Sequence, residues 1–205
     1  AYILNEAKNK NKTMPNIAYT PDCGFHLIIW REDEIFPLKK IKFEGIEFDV
    51  ILSFNGSYVR NREEVIRKEP LTREDVNCII GNLNKKKRAI AISNEAVVVT
   101  NGTDPDLEQY FAFGNEEMII SEKFNDISRE DIYQIMCSCT KDEYEEILEG
   151  TKHAQITSWW DRAADIIPSN SGKGIAVMDV LDYYGISREK SIAFGDGKND
   201  IEMLR

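Results

Sequence analysis

Long apolar runs are missing from this 205-residue chain. No stretch approaches the ~18 apolar residues that a membrane-spanning helix needs. A basic excess is missing too: 26 Lys and Arg stand against 36 Asp and Glu, for a formal net charge of −10. Phosphate backbones and anionic membrane surfaces need a basic face, so nucleic-acid binding and membrane docking are set aside. The opening Ala1–Glu6 lacks the basic-then-apolar order of a secretory signal, and the expectation is a cytoplasmic protein. Four cysteines (Cys23, Cys78, Cys137 and Cys139) match neither a zinc spacing nor a disulfide framework. Cys137 and Cys139 are read as two buried thiols in a reducing compartment. There is no internal repeat and no low-complexity linker. The hydrophobic content, 42%, is ordinary for a globular chain and enough for a core.

Residues 1–47 carry no helical period that lasts three turns. From Phe48 the pattern sharpens. Phe48–Phe54 is a near-continuous apolar run, as a buried parallel strand requires, and Asn55-Gly56 ends it. Tyr58-Val59 and Glu64-Val65-Ile66 flank a charged turn and read as a hairpin. Thr72 followed by Glu74 and Asp75 starts a helix, with Val76, Ile79, Ile80 and Leu83 at helical spacing. Its end, Lys85–Arg88, puts cations at the negative pole of the helix dipole. Residues 89–93, 96–100, 132–139, 155–160 and 163–167 read as strands. Residues 104–113 and 141–148 read as helices. The pattern predicts an α/β protein: a doubly wound core from residues 1–62 and 164–205, and an inserted α+β module over residues 63–163.

Chemistry concentrates near the end of the chain. Lys173 stands between Gly172 and Gly174, ahead of a helix whose predicted inner face is Ile175, Met178, Leu181 and Tyr184. A cation at a helix N-terminus opposes the dipole. A bound phosphate would reconcile them, taking both the dipole's positive end and the ammonium. The segment is no P-loop: Ile167 stands at the first glycine, and Gly174 replaces the magnesium-holding Ser or Thr. Next comes a strand, Ser191–Phe194, and then Gly195-Asp196-Gly197-Lys198-Asn199-Asp200. Carboxylates at a strand's carboxyl end suit a hard cation such as Mg²⁺. Asp196 would ligate directly, Asp200 would ligate or orient a ligand, and Asn199 would donate to a phosphate oxygen. The plain alternative is a strand–helix turn capped by Asn199 or Asp200.

Gly172-Lys173-Gly174, a helix, a strand and then Gly195–Asp200 together resemble the haloacid dehalogenase superfamily of phosphatases, most closely its Cof-type branch. Phe54–Val59 with Glu64–Ile66 resembles the lead into that branch's α/β cap. The resemblance spans about residues 48–205. It implies a Rossmann-like core with an inserted cap, and Mg²⁺-dependent hydrolysis of a small phosphorylated metabolite through an aspartyl-phosphate. It implies Lys173 as the catalytic cation, Asp196 and Asp200 at the metal, and Asn55 and Asn199 in the phosphate pocket. Trp159 and Trp160 could face the cleft or pack in the core. The chain holds no Asp-x-Asp-Gly-Thr/Ser motif, where the family keeps its nucleophile. The nearest segment, Ile17–Gly24, sets Thr20 at the nucleophile position and Asp22 at the acid/base position. The rival expectation is therefore a protein of the same fold that binds phosphate without turning it over. Which phosphomonoester is used, and the oligomeric state, are left open.

Overall fold

The computed structural model describes residues 2–4, 17–19, 28–29, 49–114, 116–195 and 197–205. The expectations for Asp22 and Asp196 lie outside the described residues.

Two sheets organise these residues. The first has seven strands in the order β12-β1-β3-β2-β4-β5-β6. Its members are β1 (Tyr2–Leu4), β2 (Ile17–Tyr19), β3 (Ile28–Ile29), β4 (Val50–Ser53), β5 (Tyr58–Asn61), β6 (Val65–Lys68) and β12 (Ile192–Ala193). The second has five strands, β10-β11-β9-β7-β8. These are β7 (Ile90–Ser93), β8 (Val98–Thr100), β9 (Gln134–Ser138), β10 (Ala154–Thr157) and β11 (Ala163–Pro168). The protein is thus α/β, with the five-stranded unit entered after β6 and left before the last long helix.

The first sheet is mixed. β4 runs parallel to β2, as its apolar run predicts, and β1 is parallel to β3. The β4–β5 and β5–β6 pairs are antiparallel, since short turns can join only antiparallel neighbours.

Helix α1 (Arg73–Lys85) begins at Thr72, whose side chain accepts from the Asp75 N–H. Helix α2 (Pro105–Phe113) is capped the same way by Asp104, which accepts from the Leu107 N–H. The two cover opposite faces of the five-stranded sheet. Val76, Ile79 and Leu83 of α1 pack with Ile90, Ile92, Ile135 and Cys137. Leu107, Tyr110 and Phe111 of α2 pack with Ala91, Met136 and Ala163. The alternation of strand side chains assigns each set its face. The last long helix belongs to the first sheet. There Ala176, Val177, Val180 and Leu181 pack on Val50, Leu52 and Val59.

Several expectations shift. That last helix buries Ala176, Val177 and Val180 with Leu181, whereas Met178 of the predicted stripe is 39% exposed. The small Ala176 faces inward, close against the turn: a Cβ on Gly56 would lie 2.7 Å from the Ala176 Cβ. Residues 141–148 form a 3₁₀ turn (Lys141–Glu143) and the four-residue α4 (Tyr144–Ile147); α3 (Phe124–Ile127) is equally short. β10 stops at Thr157. Trp159 lies 5.4 Å from the Tyr110 ring, and Trp160 stacks on Trp159, so both pack against the α2 face. Cys137 and Cys139 are buried, and the Cys137 thiol is pushed up by its bond to Cys139 and by burial. Among the described residues, no helix is long and apolar enough to cross a membrane.

Just past α2, burial pushes the half-buried Glu116 carboxyl up to about 7. Its folded form therefore favours the proton. Stability from this group is complete below the ordinary glutamate range and is lost as pH rises through 7. The full linkage of such a shift is about 3 kcal/mol. Water at a half-buried group screens most of it, leaving ~1 kcal/mol. Replacing Glu116 by Gln is expected to raise the Tm by about 2–4 °C at pH 8 and to leave it unchanged at pH 4. Thermal melts across that range check it; equal shifts at both pH values would contradict it.

Candidate functional site

Three segments converge where the two sheets meet. The first is the 3₁₀ turn Phe54–Gly56, at the end of β4. Phe54, Asn55 and Gly56 have φ of 53°, 52° and 89°, three consecutive left-handed residues. Asn tolerates that region and Gly is free in it. The turn ends β4 abruptly and drives the Asn55 side chain toward the five-stranded sheet.

The second segment is the N-terminus of α5 (Lys173–Tyr183). Its cap is Gly172, which offers no side-chain acceptor, and its first turn holds no acid. An uncapped, acid-free helix start leaves N–H donors and a positive dipole end for an anion. Lys173 is 5% exposed. The Ser171 hydroxyl, also buried, has no hydrogen-bond partner.

The third segment is the 3₁₀ turn Lys198–Asp200 after β12. Asp200 is fully buried. Its Oδ1 accepts from Lys173 Nζ at 2.6 Å, and its Oδ2 accepts from the Gly197 N–H at 3.0 Å. Burial pushes the Asp200 carboxyl up, but the Lys173 ammonium and the Gly197 bond outweigh it and hold it below the ordinary range. Gly195 permits this packing: a Cβ there would lie 2.7 Å from the Asp200 Cγ.

Asn199 donates from Nδ2 to Asn55 Oδ1 at 3.3 Å. Four expected residues (Asn55, Lys173, Asn199 and Asp200) are therefore brought together, although 144 positions separate Asn55 from Asn199. The Asn199 Oδ1 is buried and has no hydrogen-bond partner. The bare Asn199 amide oxygen is an oxygen donor of the kind that Mg²⁺ prefers. The residues present thus fit such an ion, with Asp196 as the further candidate beyond the described residues. Among the described residues, no three His, Cys, Asp or Glu side chains cluster as a ready-made metal site.

The site also contains residues that sequence reasoning missed. Asp165 on β11 is 2% exposed. Its Oδ1 accepts from Tyr110 Oη and from Gln134 Nε2, and its Oδ2 accepts from Asn55 Nδ2 at 2.9 Å. Gln134 Oε1 accepts the other Asn55 bond at 3.0 Å. Burial pushes the Asp165 carboxyl up, against the opposing pull of the Tyr110 and Asn55 bonds and of the Lys173 charge. A lone acid inside the apolar run Ala163–Pro168 was the available signal, because a buried carboxylate needs partners.

The chain is similar to known proteins. A family model described as haloacid dehalogenase-like hydrolase matches residues 34–205. YkrA of Bacillus subtilis (strain 168), a phosphatase by name, is 22% identical over 205 residues, 98% of this chain and 78% of its own. The 5-amino-6-(5-phospho-D-ribitylamino)uracil phosphatase YitU of the same organism is 31% identical over 105 residues, 51% of this chain and 35% of its own. The solved structure of the subclass IIB sugar phosphatase BT4131 superposes with a TM-score of 0.71 at 26% identity, over 77% of this chain and 61% of its own. The chain thus spans about three-fifths of that structure and about a third of YitU.

Proposed function

The chain belongs to the haloacid dehalogenase-like hydrolases, and on that premise we propose that it is a Mg²⁺-dependent phosphatase acting on a small phosphomonoester. The observation that carries the reading is the buried Lys173–Asp200 pair at an uncapped helix N-terminus, beside the Asn55–Asn199 contact. A buried ammonium whose direction is fixed by a carboxylate can be held toward a phosphoryl oxygen. The α5 N–H groups would take a second oxygen. Asp200 would act chiefly by orienting Lys173, since both its oxygens are engaged, and Asp196 would be the direct metal ligand. Mg²⁺, when bound, would draw charge from the phosphoryl oxygens.

The five-stranded unit would serve as the cap that selects substrate. Sheet membership argues for boundaries later than 63 and 164: β6 pairs in the seven-stranded sheet and β11 in the five-stranded one, so the cap would run over residues 69–168. The names of BT4131 and YitU support a sugar phosphate or a phosphorylated cofactor as substrate class. The acidic composition supports a small cytoplasmic metabolite as partner rather than nucleic acid or membrane.

Hydrolysis of p-nitrophenyl phosphate tests the reading. Turnover with Mg²⁺, falling at least a hundredfold in excess EDTA and returning on Mg²⁺ addition, is expected. Phosphate binding without any turnover would replace it by the non-catalytic reading, which the missing Asp-x-Asp-Gly-Thr/Ser motif favours.

A further inference from the structure

Asp165, Gln134 and Asn55 form a closed ring of hydrogen bonds between the two sheets. Asp165 Oδ1 accepts from Gln134 Nε2 at 3.2 Å, Gln134 Oε1 accepts from Asn55 Nδ2, and Asn55 Nδ2 also donates to Asp165 Oδ2. An amide can present oxygen or nitrogen to a neighbour; the Asp165 oxygens accept from Tyr110, Gln134 and Asn55 alike. The carboxylate therefore decides both amides. Gln134 must turn its nitrogen toward Asp165, which leaves its oxygen for Asn55. Asn55 must turn its nitrogen toward Asp165 and Gln134, which leaves its oxygen for the other side. That oxygen meets Asn199, which must then present its own nitrogen at 3.3 Å. The last member of the chain is the Asn199 Oδ1, buried and without a hydrogen-bond partner.

Both Asn55 amide hydrogens are thus committed to the five-stranded unit. In this arrangement Asn55 sets the orientation of Asn199 rather than donating to a substrate phosphate. Tyr110 strengthens the anchor: its hydroxyl donates to Asp165, and its ring is held by Phe111 and Trp159.

We propose that Asp165 is a positioning residue for the cation site: through Asn55 it fixes the Asn199 amide with its oxygen presented to Mg²⁺. The proposal rests on the phosphatase reading for the identity of the cation. It gives the five-stranded unit a second task, since the acceptor is set only while that unit is seated on the Phe54–Gly56 turn. An outer partner that orients a metal ligand typically changes affinity 10–100-fold.

The test uses Asp165→Asn, which keeps the shape and introduces a donor where the ring needs an acceptor. Two readouts are taken on the protein as it stands: the side-chain ¹⁵N–¹H₂ resonances of Asn55 and Asn199, and Mg²⁺ binding by calorimetry. Asp165→Asn is expected to shift both resonances and to weaken Mg²⁺ binding at least tenfold. The exchanged pair Asp165→Asn with Asn55→Asp, which returns one carboxylate to the ring, is expected to restore the Asn199 resonance. This second arm also guards against a fold defect in the single variant. An Asn199 resonance unmoved in Asp165→Asn, or moved with Mg²⁺ affinity intact, would overturn the proposal. Should the unaltered protein bind no Mg²⁺, the phosphatase reading fails by itself, and the resonances alone decide whether Asp165 orients Asn199.

Discussion

Replacing Lys173 by Met is expected to lower stability by about 3–5 kcal/mol and turnover by 10²–10³-fold. The first figure is typical of breaking a buried ion pair from one side, because the remaining charge keeps its desolvation cost without its partner. Lys173 is 5% exposed and Asp200 is fully buried, so water can do little to screen that loss. The second figure is typical of removing one fixed donor from developing charge. The two effects can be separated. Lys173→Met combined with Asp200→Asn leaves no buried charge at this pair. It is expected to recover at least half of the lost stability and none of the turnover. Denaturant melts and p-nitrophenyl phosphate kinetics on the three proteins check this. A stable Lys173→Met variant with ordinary activity would show that the pair is neither buried nor functional.

The second large effect falls on Gly56. Its φ of 89° disfavours any side chain, and a Cβ there would lie 2.5 Å from the Gly172 carbonyl oxygen and 2.7 Å from the Ala176 Cβ. Both obstacles belong to the start of α5, one of them backbone, so neither can swing aside. Gly56→Ala must push the Phe54–Gly56 turn off the helix, at a cost of about 3 kcal/mol or more. For a chain of this size that is a Tm loss of about 6–12 °C. The same displacement separates Asn55 from Asn199, so turnover is expected to fall with stability. Gly81, which meets nothing within 4 Å, is the control: Gly81→Ala on the exposed side of α1 is expected to be neutral or stabilising. Equal melts for the Gly56 and Gly81 variants would refute the steric account of the turn.

These two positions show what can be read from sequence and what cannot. The apolar run at Phe48–Phe54 and its Asn-Gly terminator announce a strand and its end, because burial on both faces leaves a pattern within the segment itself. Thr72 with Asp75 and the Gly-Lys-Gly approach to α5 are local in the same way. The face that α5 buries is different. Helical spacing offers two overlapping stripes, and packing on Val50, Leu52 and Val59 with the close approach of Gly56 to Ala176 selects Ala176 and Val180 over Met178. The Lys173–Asp200 pair was foreseeable as a constellation, since both residues sit in one family-like motif 27 positions apart. The Asp165–Gln134–Asn55 ring was not. Its members are far apart in the chain, two on neighbouring strands of one sheet and one on the turn after β4, and nothing near Gln134 in the chain marks it as polar by purpose rather than by chance. The strands of the five-stranded unit were legible as strands, but their pairing was not. β6 and β11 are assigned to different sheets by their pairing partners, which lie far from them in the chain.

The central claim is that Lys173, the start of α5 and the Lys198–Asp200 turn together bind a phosphoryl group with Mg²⁺. Calorimetric titration of inorganic phosphate, with and without saturating Mg²⁺, tests it most directly, because binding requires no assignment of the nucleophile. The account predicts saturable binding that tightens at least tenfold with Mg²⁺ and disappears in Lys173→Met with Asp200→Asn. Phosphate binding of equal strength in that double variant, or none in the unaltered protein with Mg²⁺ present, would contradict it.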